Sequence, residues 1–90
     1  MFFNKVPHVK WSEISKTDRI IDVREKIEYN AKSVPGTKNV PLSNIENFDT
    51  DKRIYVMCQS GMRSKRAVKV LRKKGIDAIN IKGGIMAYGK

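Results

Sequence analysis

The chain has 90 residues, enough for one small domain spanning 1–90 with a single core, and too few for a large separate substrate domain. Hydrophobic residues make up 40% and charged residues 31%, the balance of a folded globular chain; the longest apolar runs, Ile20-Ile21 and Ile54-Tyr55-Val56-Met57-Cys58, are far too short to cross a bilayer. Nineteen Lys and Arg against nine Asp and Glu leave a net charge of +10, which draws acidic partners or anionic substrates over long range, while the lack of an aromatic platform or zinc spacing leaves nucleic acid not indicated.

Apolar runs alternate with helical patterns, which predicts an α/β fold with a mainly parallel sheet and crossover helices. Val6 to Lys10 reads as a short first strand and Trp11 to Lys16 as a brief helix capped by Ser12. Arg19 to Val23 reads as a buried strand. Glu25 to Lys32 follows as a helix, with Ile27 and Ala31 on one face and Glu28 directed to solvent or a loop. Val34-Pro35-Gly36 ends that helix, and Lys38-Asn39-Val40 makes a short edge strand stopped by Pro41. Leu42 to Phe48 reads as a helical turn capped by Ser43, and Asp49 to Lys52 as a polar turn.

Arg53 to Met57, rich in β-branched and aromatic residues, is the strongest strand pattern and leads directly to Cys58. From Arg63 or Ser64 to Lys74 the pattern is helical: Ala67, Val68 and Leu71 form a buried stripe, Lys65, Lys69, Arg72 and Lys73 face outward, and Gly75 is the stop. Ile76 to Ile81 supplies the last strand. Gly83-Gly84 makes a turn, after which Ile85 to Tyr88 returns as a short helix laying Met86 and Tyr88 on the sheet.

Cys58 is the single cysteine, so no internal disulfide is available. The start Met1 to Pro7 lacks the basic and apolar segments of a secretory signal, and both features lead us to expect a reducing cytoplasm. A sulfur at the end of a buried strand, before the first turn of a helix, faces converging backbone N–H groups and the positive end of the dipole. The loop Gln59-Ser60-Gly61-Met62-Arg63-Ser64 suits such a nest: Gly61 accepts positive φ, Ser60 keeps the approach open, and Ser64 adds a hydroxyl. Arg63 adds a charge whose fork fits an oxyanion such as sulfonate, sulfate or phosphate. Amides plus a cation depress a thiol pKa from ~8.5 by roughly one to several units, so Cys58 is expected to be a thiolate nucleophile. His8, the one histidine, is far off in sequence and does not suggest a Cys-His dyad, and no cluster of ligating residues suggests a metal or another cofactor.

Several segments together resemble the rhodanese family of sulfurtransferases. Ile20-Ile21-Asp22-Val23-Arg24-Glu25 resembles the family's first signature, Glu28-Tyr29 with Val34-Pro35-Gly36 its second, and Asn39-Val40-Pro41-Leu42 the segment after it. The Cys58 loop with Gly61 and Arg63-Ser64 resembles the active site, and Gly83-Gly84 with Met86-Ala87-Tyr88 the C-terminal signature. The resemblance implies a three-layer α/β/α fold with about five strands. It also implies a reaction in which Cys58 attacks a small anionic sulfane sulfur donor such as thiosulfate and becomes a persulfide. Thiol, cyanide or protein acceptors then receive the sulfur, an acidic protein being favoured by the positive surface. It assigns Gln59 to Ser64 to cradling the persulfide, Arg63 to binding the donor, and Asp22 and Arg24 to orienting the loop. Ser33, Thr37 and Tyr88 depart from the common histidine, alanine and tryptophan of the family.

Two alternatives stand beside this reading. Dual-specificity phosphatases and certain arsenate reductases share the fold, but their loops resemble a cysteine, five residues and an arginine, whereas four residues separate Cys58 from Arg63. A non-catalytic interaction module on the same fold is the other, and retention of Cys58, Gly61 and Arg63 argues against it.

Overall fold

The computed structural model describes residues 5–90; Met1 to Asn4, within the start read above for a targeting signal, lie outside the described residues. Five strands form one sheet: β1 (His8–Val9), β2 (Ile20–Asp22), β3 (Thr37–Asn39), β4 (Ile54–Met57) and β5 (Ala78–Ile81). Their order is β1-β5-β4-β2-β3, and every neighbouring pair is parallel. Helices α1 (Lys26–Ala31) and α2 (Met62–Lys73) and three 3-10 turns, Trp11–Glu13, Leu42–Asn47 and Gly84–Ala87, make the connections. No helix among the described residues is long and apolar enough to cross a membrane.

The parallel order places the carboxyl ends of the central strands side by side. Asp22 at the end of β2 pairs with Met57 at the end of β4, and Val56 pairs with Asn80 of β5, so Cys58 emerges at the middle of this edge. Because side chains alternate along a strand, Ile54, Val56 and Cys58 face one side while Tyr55 and Met57 face the other. The first side packs on Ala67, Val68 and Leu71 of α2 and on Ile45. The stripe of α2 is wholly buried, each such side chain contributing about 1.5–3 kcal/mol for the larger ones. The second side gathers Met57, Ile81 and Val34 under Trp11, Ile14 and Ile85.

The layers are unequal, and here the structure corrects the sequence reading. α1 buries none of its residues, and Ile27 is 79% exposed, so the Ile27 and Ala31 face points to solvent. Six residues are too few to lay a stripe across the sheet, and Trp11 and Ile14 cover that face instead. Ser12 and Ser43 lie inside their 3-10 turns rather than capping them; Lys10 and Pro41 hold the cap positions, and Glu13 accepts the Lys10 amide at 2.8 Å. Met86 is exposed rather than laid on the sheet, while Tyr88 stacks edge-on against Trp11 with ring centroids 4.9 Å apart.

The end of α2 follows expectation. Gly75 takes φ +89° and returns its amide to Arg72, while the Ile76 amide returns to Leu71, the paired bonds of a left-handed helix stop. That stop aims the chain into β5 beside β4.

Candidate active site

Cys58 follows β4 directly and is 1% exposed. Gly61, at φ +120°, turns the loop back so that its amide donates to Cys58 Sγ at 3.1 Å. α2 begins at the next residue, Met62, and Ser64 in its first turn brings a buried hydroxyl to the sulfur. The thiol donates to Ser64 Oγ at 3.4 Å, and Ser64 Oγ lies 2.5 Å from Asn80 Oδ1 and 3.1 Å from the Gly61 carbonyl. One hydroxyl proton serves one acceptor at a time, so the protonated site reads thiol to Ser64 to Asn80. On ionisation the hydroxyl can turn to donate to the sulfur.

Burial pushes the Cys58 thiol up, but the Ser64 hydroxyl and the amides of Ser64, Gly61 and Arg63 outweigh it and leave the pKa below its ordinary value. The sulfur is thus activated by neutral dipoles at the start of a twelve-residue helix.

The Arg63 side chain is engaged with a carboxylate. Its guanidinium makes a two-pronged ion pair with Glu28 of α1, Nη1 to Oε2 at 2.6 Å and Nη2 to Oε1 at 2.9 Å. Glu28 also accepts the Glu25 amide at 2.9 Å, a capping box that orients its carboxylate at the first turn of α1. Hydrogen bonding from Arg63, helped by the Glu25 amide, holds the Glu28 carboxyl at about 2.

Asp22 and Arg24 form a second, buried pair one step behind. Arg24 Nε and Nη2 meet the Asp22 carboxylate at 2.8–3.1 Å, and Nη2 donates to the Lys32 carbonyl at 2.7 Å. Arg24 therefore ties the end of β2 to the residue after α1, the helix that carries Glu28. Asn39 Nδ2 bonds both the Asp22 and Arg24 carbonyls and fixes the same corner from β3.

Gln59 and Ser60 are exposed at the mouth, and Met62 is 77% exposed beside them. The loop is braced from behind by the last 3-10 turn. Ile85 N donates to the Cys58 carbonyl at 2.9 Å and Met86 N to the Gln59 carbonyl at 3.1 Å, while Trp11 Nε1 holds the Gly84 carbonyl at 2.8 Å. Gly84 sits so close that a Cβ would lie 2.3 Å from the Cys58 carbonyl oxygen. An open groove of about 390 Å³ runs beside the loop, lined by Ser60, Gly83, Met86, Ala87 and Lys90.

The structure thus gathers Cys58 and its loop through Ser64 into one nest, with Asp22 and Arg24 in a supporting corner that makes no side-chain bond to the loop. Sequence reasoning did not single out Glu28, Asn80 or Gly84 for this site. The capping-box spacing from Glu25 to Glu28 and a lone amide in the apolar run Ala78-Ile79-Asn80-Ile81 were the available signals.

The family model described as "Rhodanese-like domain" matches residues 8–90. The chain belongs to the rhodanese family. Among curated relatives it is 41% identical over 76 residues to the uncharacterized protein YqhL of Bacillus subtilis, covering 79% of this chain and 60% of YqhL. The putative sulfurtransferase YtwF of the same organism is 36% identical over 73 residues, covering 77% of this chain and 71% of YtwF. In structure the chain is similar to the human single-domain sulfurtransferase TSTD1, with a TM-score of 0.83 at 25% identity, covering 93% of this chain and 96% of that one. Sulfur transfer is therefore the chemistry attached by name to relatives of this rhodanese-family chain.

Proposed function

We propose that this rhodanese-family chain is a sulfurtransferase that carries one sulfane sulfur as a persulfide on Cys58. The observation that carries the reading is the Cys58 nest: a buried sulfur at a strand end, bonded by the Gly61 amide at 3.1 Å and faced by the Ser64 hydroxyl. In the loading step the Cys58 thiolate attacks the outer sulfur of the donor, the new S–S bond forms, and the donor's own S–S bond breaks with its electron pair leaving on the departing group. Thiosulfate leaves as sulfite and a persulfide R–S–SH as the thiolate R–S⁻. The terminal sulfur then replaces the thiolate in the nest, where the same N–H and O–H donors favour its negative charge.

Unloading reverses the roles. An acceptor thiolate attacks the terminal sulfur, and Cys58 leaves as the stabilised thiolate, a good leaving group because its pKa is depressed. With Cys58 the single cysteine of these 90 residues, an acceptor thiol lies outside them. A thiol-bearing protein suits the mouth, whose exposed Met62 and Met86 flank the loop on a chain of net charge +10. The chain's reducing cytoplasmic setting belongs to the same reading. A phosphatase or arsenate reductase reading is disfavoured by the four-residue spacing to Arg63 and by the engagement of that arginine with Glu28.

The test is mass spectrometry of the protein after incubation with thiosulfate or glutathione persulfide. We expect a one-sulfur increment on Cys58 that dithiothreitol removes, and none on Cys58→Ser. Transfer at the wild-type rate by Cys58→Ser would exclude Cys58 as the carrier.

A further inference from the structure

Arg63 of the loop and Arg24 in the corner behind it are each matched by a carboxylate. Arg24 is closed on Asp22 and 4% exposed, and Arg63 is held by both oxygens of Glu28. The fork expected to grip an anionic donor is therefore already occupied, in the planar two-bond geometry that a sulfonate or phosphate would itself use. Glu28 is fixed from its own side by the Glu25 amide, so it does not swing away without losing a second bond. Its carboxyl, held at about 2, stays charged throughout the physiological range.

This arrangement separates long-range attraction from local grip. A net charge of +10 draws any anion toward the molecule. At the loop, however, the Arg63 charge is matched by both oxygens of Glu28, so a dianion brought to that guanidinium meets a carboxylate already there. The nest retains donors enough for one singly charged sulfur. The mouth that leads to it carries the exposed thioethers of Met62 and Met86, soft groups suited to alkyl and sulfur contact rather than to a hydrated oxyanion.

We propose that Glu28 is a specificity-determining residue that turns the site away from thiosulfate and toward persulfide donors, R–S–SH, whose sulfane sulfur adjoins no oxyanion head group. The inference rests on the sulfurtransferase reading above. In the favoured step the Cys58 thiolate takes the outer sulfur of R–S–SH, the donor's S–S bond breaks, R–S⁻ departs, and the proton carried over on the new persulfide is then lost to solvent. No oxidant or reductant is consumed, and no grip on an anionic head group is required. For thiosulfate the same attack expels sulfite, whose oxygens would need Arg63.

The experiment measures single-turnover loading of Cys58 by mass spectrometry with two donors, thiosulfate and glutathione persulfide, in wild type, Glu28→Gln and the double variant Glu28→Gln with Arg63→Gln. Removing the carboxylate frees one guanidinium charge, and the half-saturating thiosulfate concentration is expected to fall about fivefold or more, equivalent to one partly screened charge contact. Loading from glutathione persulfide gains less than loading from thiosulfate, since no oxyanion adjoins its sulfane sulfur, and the ratio of the two gains is the readout. The double variant loses the gain, an outcome that a purely structural role for Glu28 does not produce. Glu28→Ala gives the same readout should Glu28→Gln unfold. An unchanged or raised half-saturating thiosulfate concentration in the folded variant overturns the role of Glu28, whereas a wild-type protein that loads from neither donor overturns the sulfurtransferase reading itself.

Discussion

Replacing Gly84 with alanine tests whether the last 3-10 turn is what holds the Cys58 loop in shape. A Cβ at this position would lie 2.3 Å from the Cys58 carbonyl oxygen, 2.6 Å from the Gln59 carbonyl oxygen and 2.7 Å from the Gln59 carbonyl carbon. All three are backbone atoms, so no side chain can rotate to make room. The turn must retreat from the loop, which breaks the Ile85 to Cys58 and Met86 to Gln59 bonds and strains the Trp11 to Gly84 bond. Two hydrogen bonds at about 1 kcal/mol each, with about 1 kcal/mol for an alanine at φ +56°, give a loss of ~3 kcal/mol. A domain of this size has roughly 5–13 kcal/mol in all, and its Tm should fall by about 12–24 °C. Urea unfolding followed by circular dichroism measures the global term. The pH midpoint of iodoacetamide alkylation measures the state of the thiol, which should rise as the nest loosens. Gly36→Ala is the control: its φ is +84° but nothing lies within 4 Å, so it should lose only about 1 kcal/mol and leave the alkylation midpoint unmoved. A Gly84→Ala protein with a Tm within about 2 °C of wild type and an unshifted midpoint would refute the bracing role.

Ser64→Ala removes the hydroxyl that faces the sulfur, and a hydrogen bond to a charged group of about 1.5 kcal/mol corresponds to a rise of about one unit in the Cys58 alkylation midpoint; an unchanged midpoint would assign activation to the amides alone. The Glu28 and Arg63 pair should also appear in stability against pH. The Glu28 pKa is depressed from 4.5 to about 2, so its contribution is present above about 4.5 and is lost as the pH falls through about 2. Both side chains are about a third exposed, which reduces the contribution from the ~3 kcal/mol of full linkage to about 1 kcal/mol. Urea midpoints of wild type and Glu28→Gln should therefore differ at pH 7 and converge near pH 2, and a constant gap across that range would contradict the pairing.

Much of this architecture could be read from the chain because strand, loop and helix each carry a local signature. The run Arg53 to Met57, the glycine at 61 and the stripe of Ala67, Val68 and Leu71 all point to Cys58 at a strand end facing a helix, and β4, the loop and α2 stand there. Where the reading failed, a long-range contact decided the outcome. Ile27 and Ala31 have helical spacing, but Trp11 and Ile14 occupy that face and leave the stripe in solvent. Asn80 alternates with isoleucines as a solvent-facing residue would, yet all of β5 is buried because this parallel sheet is covered on both sides. Gly83-Gly84 reads as a turn, and no local pattern tells that Gly84 lies against the backbone of residues far earlier in the chain.

The same contacts explain why the loop carries its charge as it does. A cation facing the sulfur directly would depress the thiol pKa further, but would also bind any small anion and compete with the donor. Here the sulfur is held by the Gly61 amide and by the Ser64 hydroxyl, which can turn from Asn80 to the ionised sulfur, while the Arg63 guanidinium spends its charge on Glu28. In the sulfur transfer proposed above, amides and a hydroxyl would keep their strength whether the occupant is the Cys58 thiolate or the terminal sulfur of a persulfide, since both present one negative sulfur to the same donors. Loading and unloading then differ little in electrostatic energy, the condition under which a carrier takes up an atom from one thiol and releases it to another.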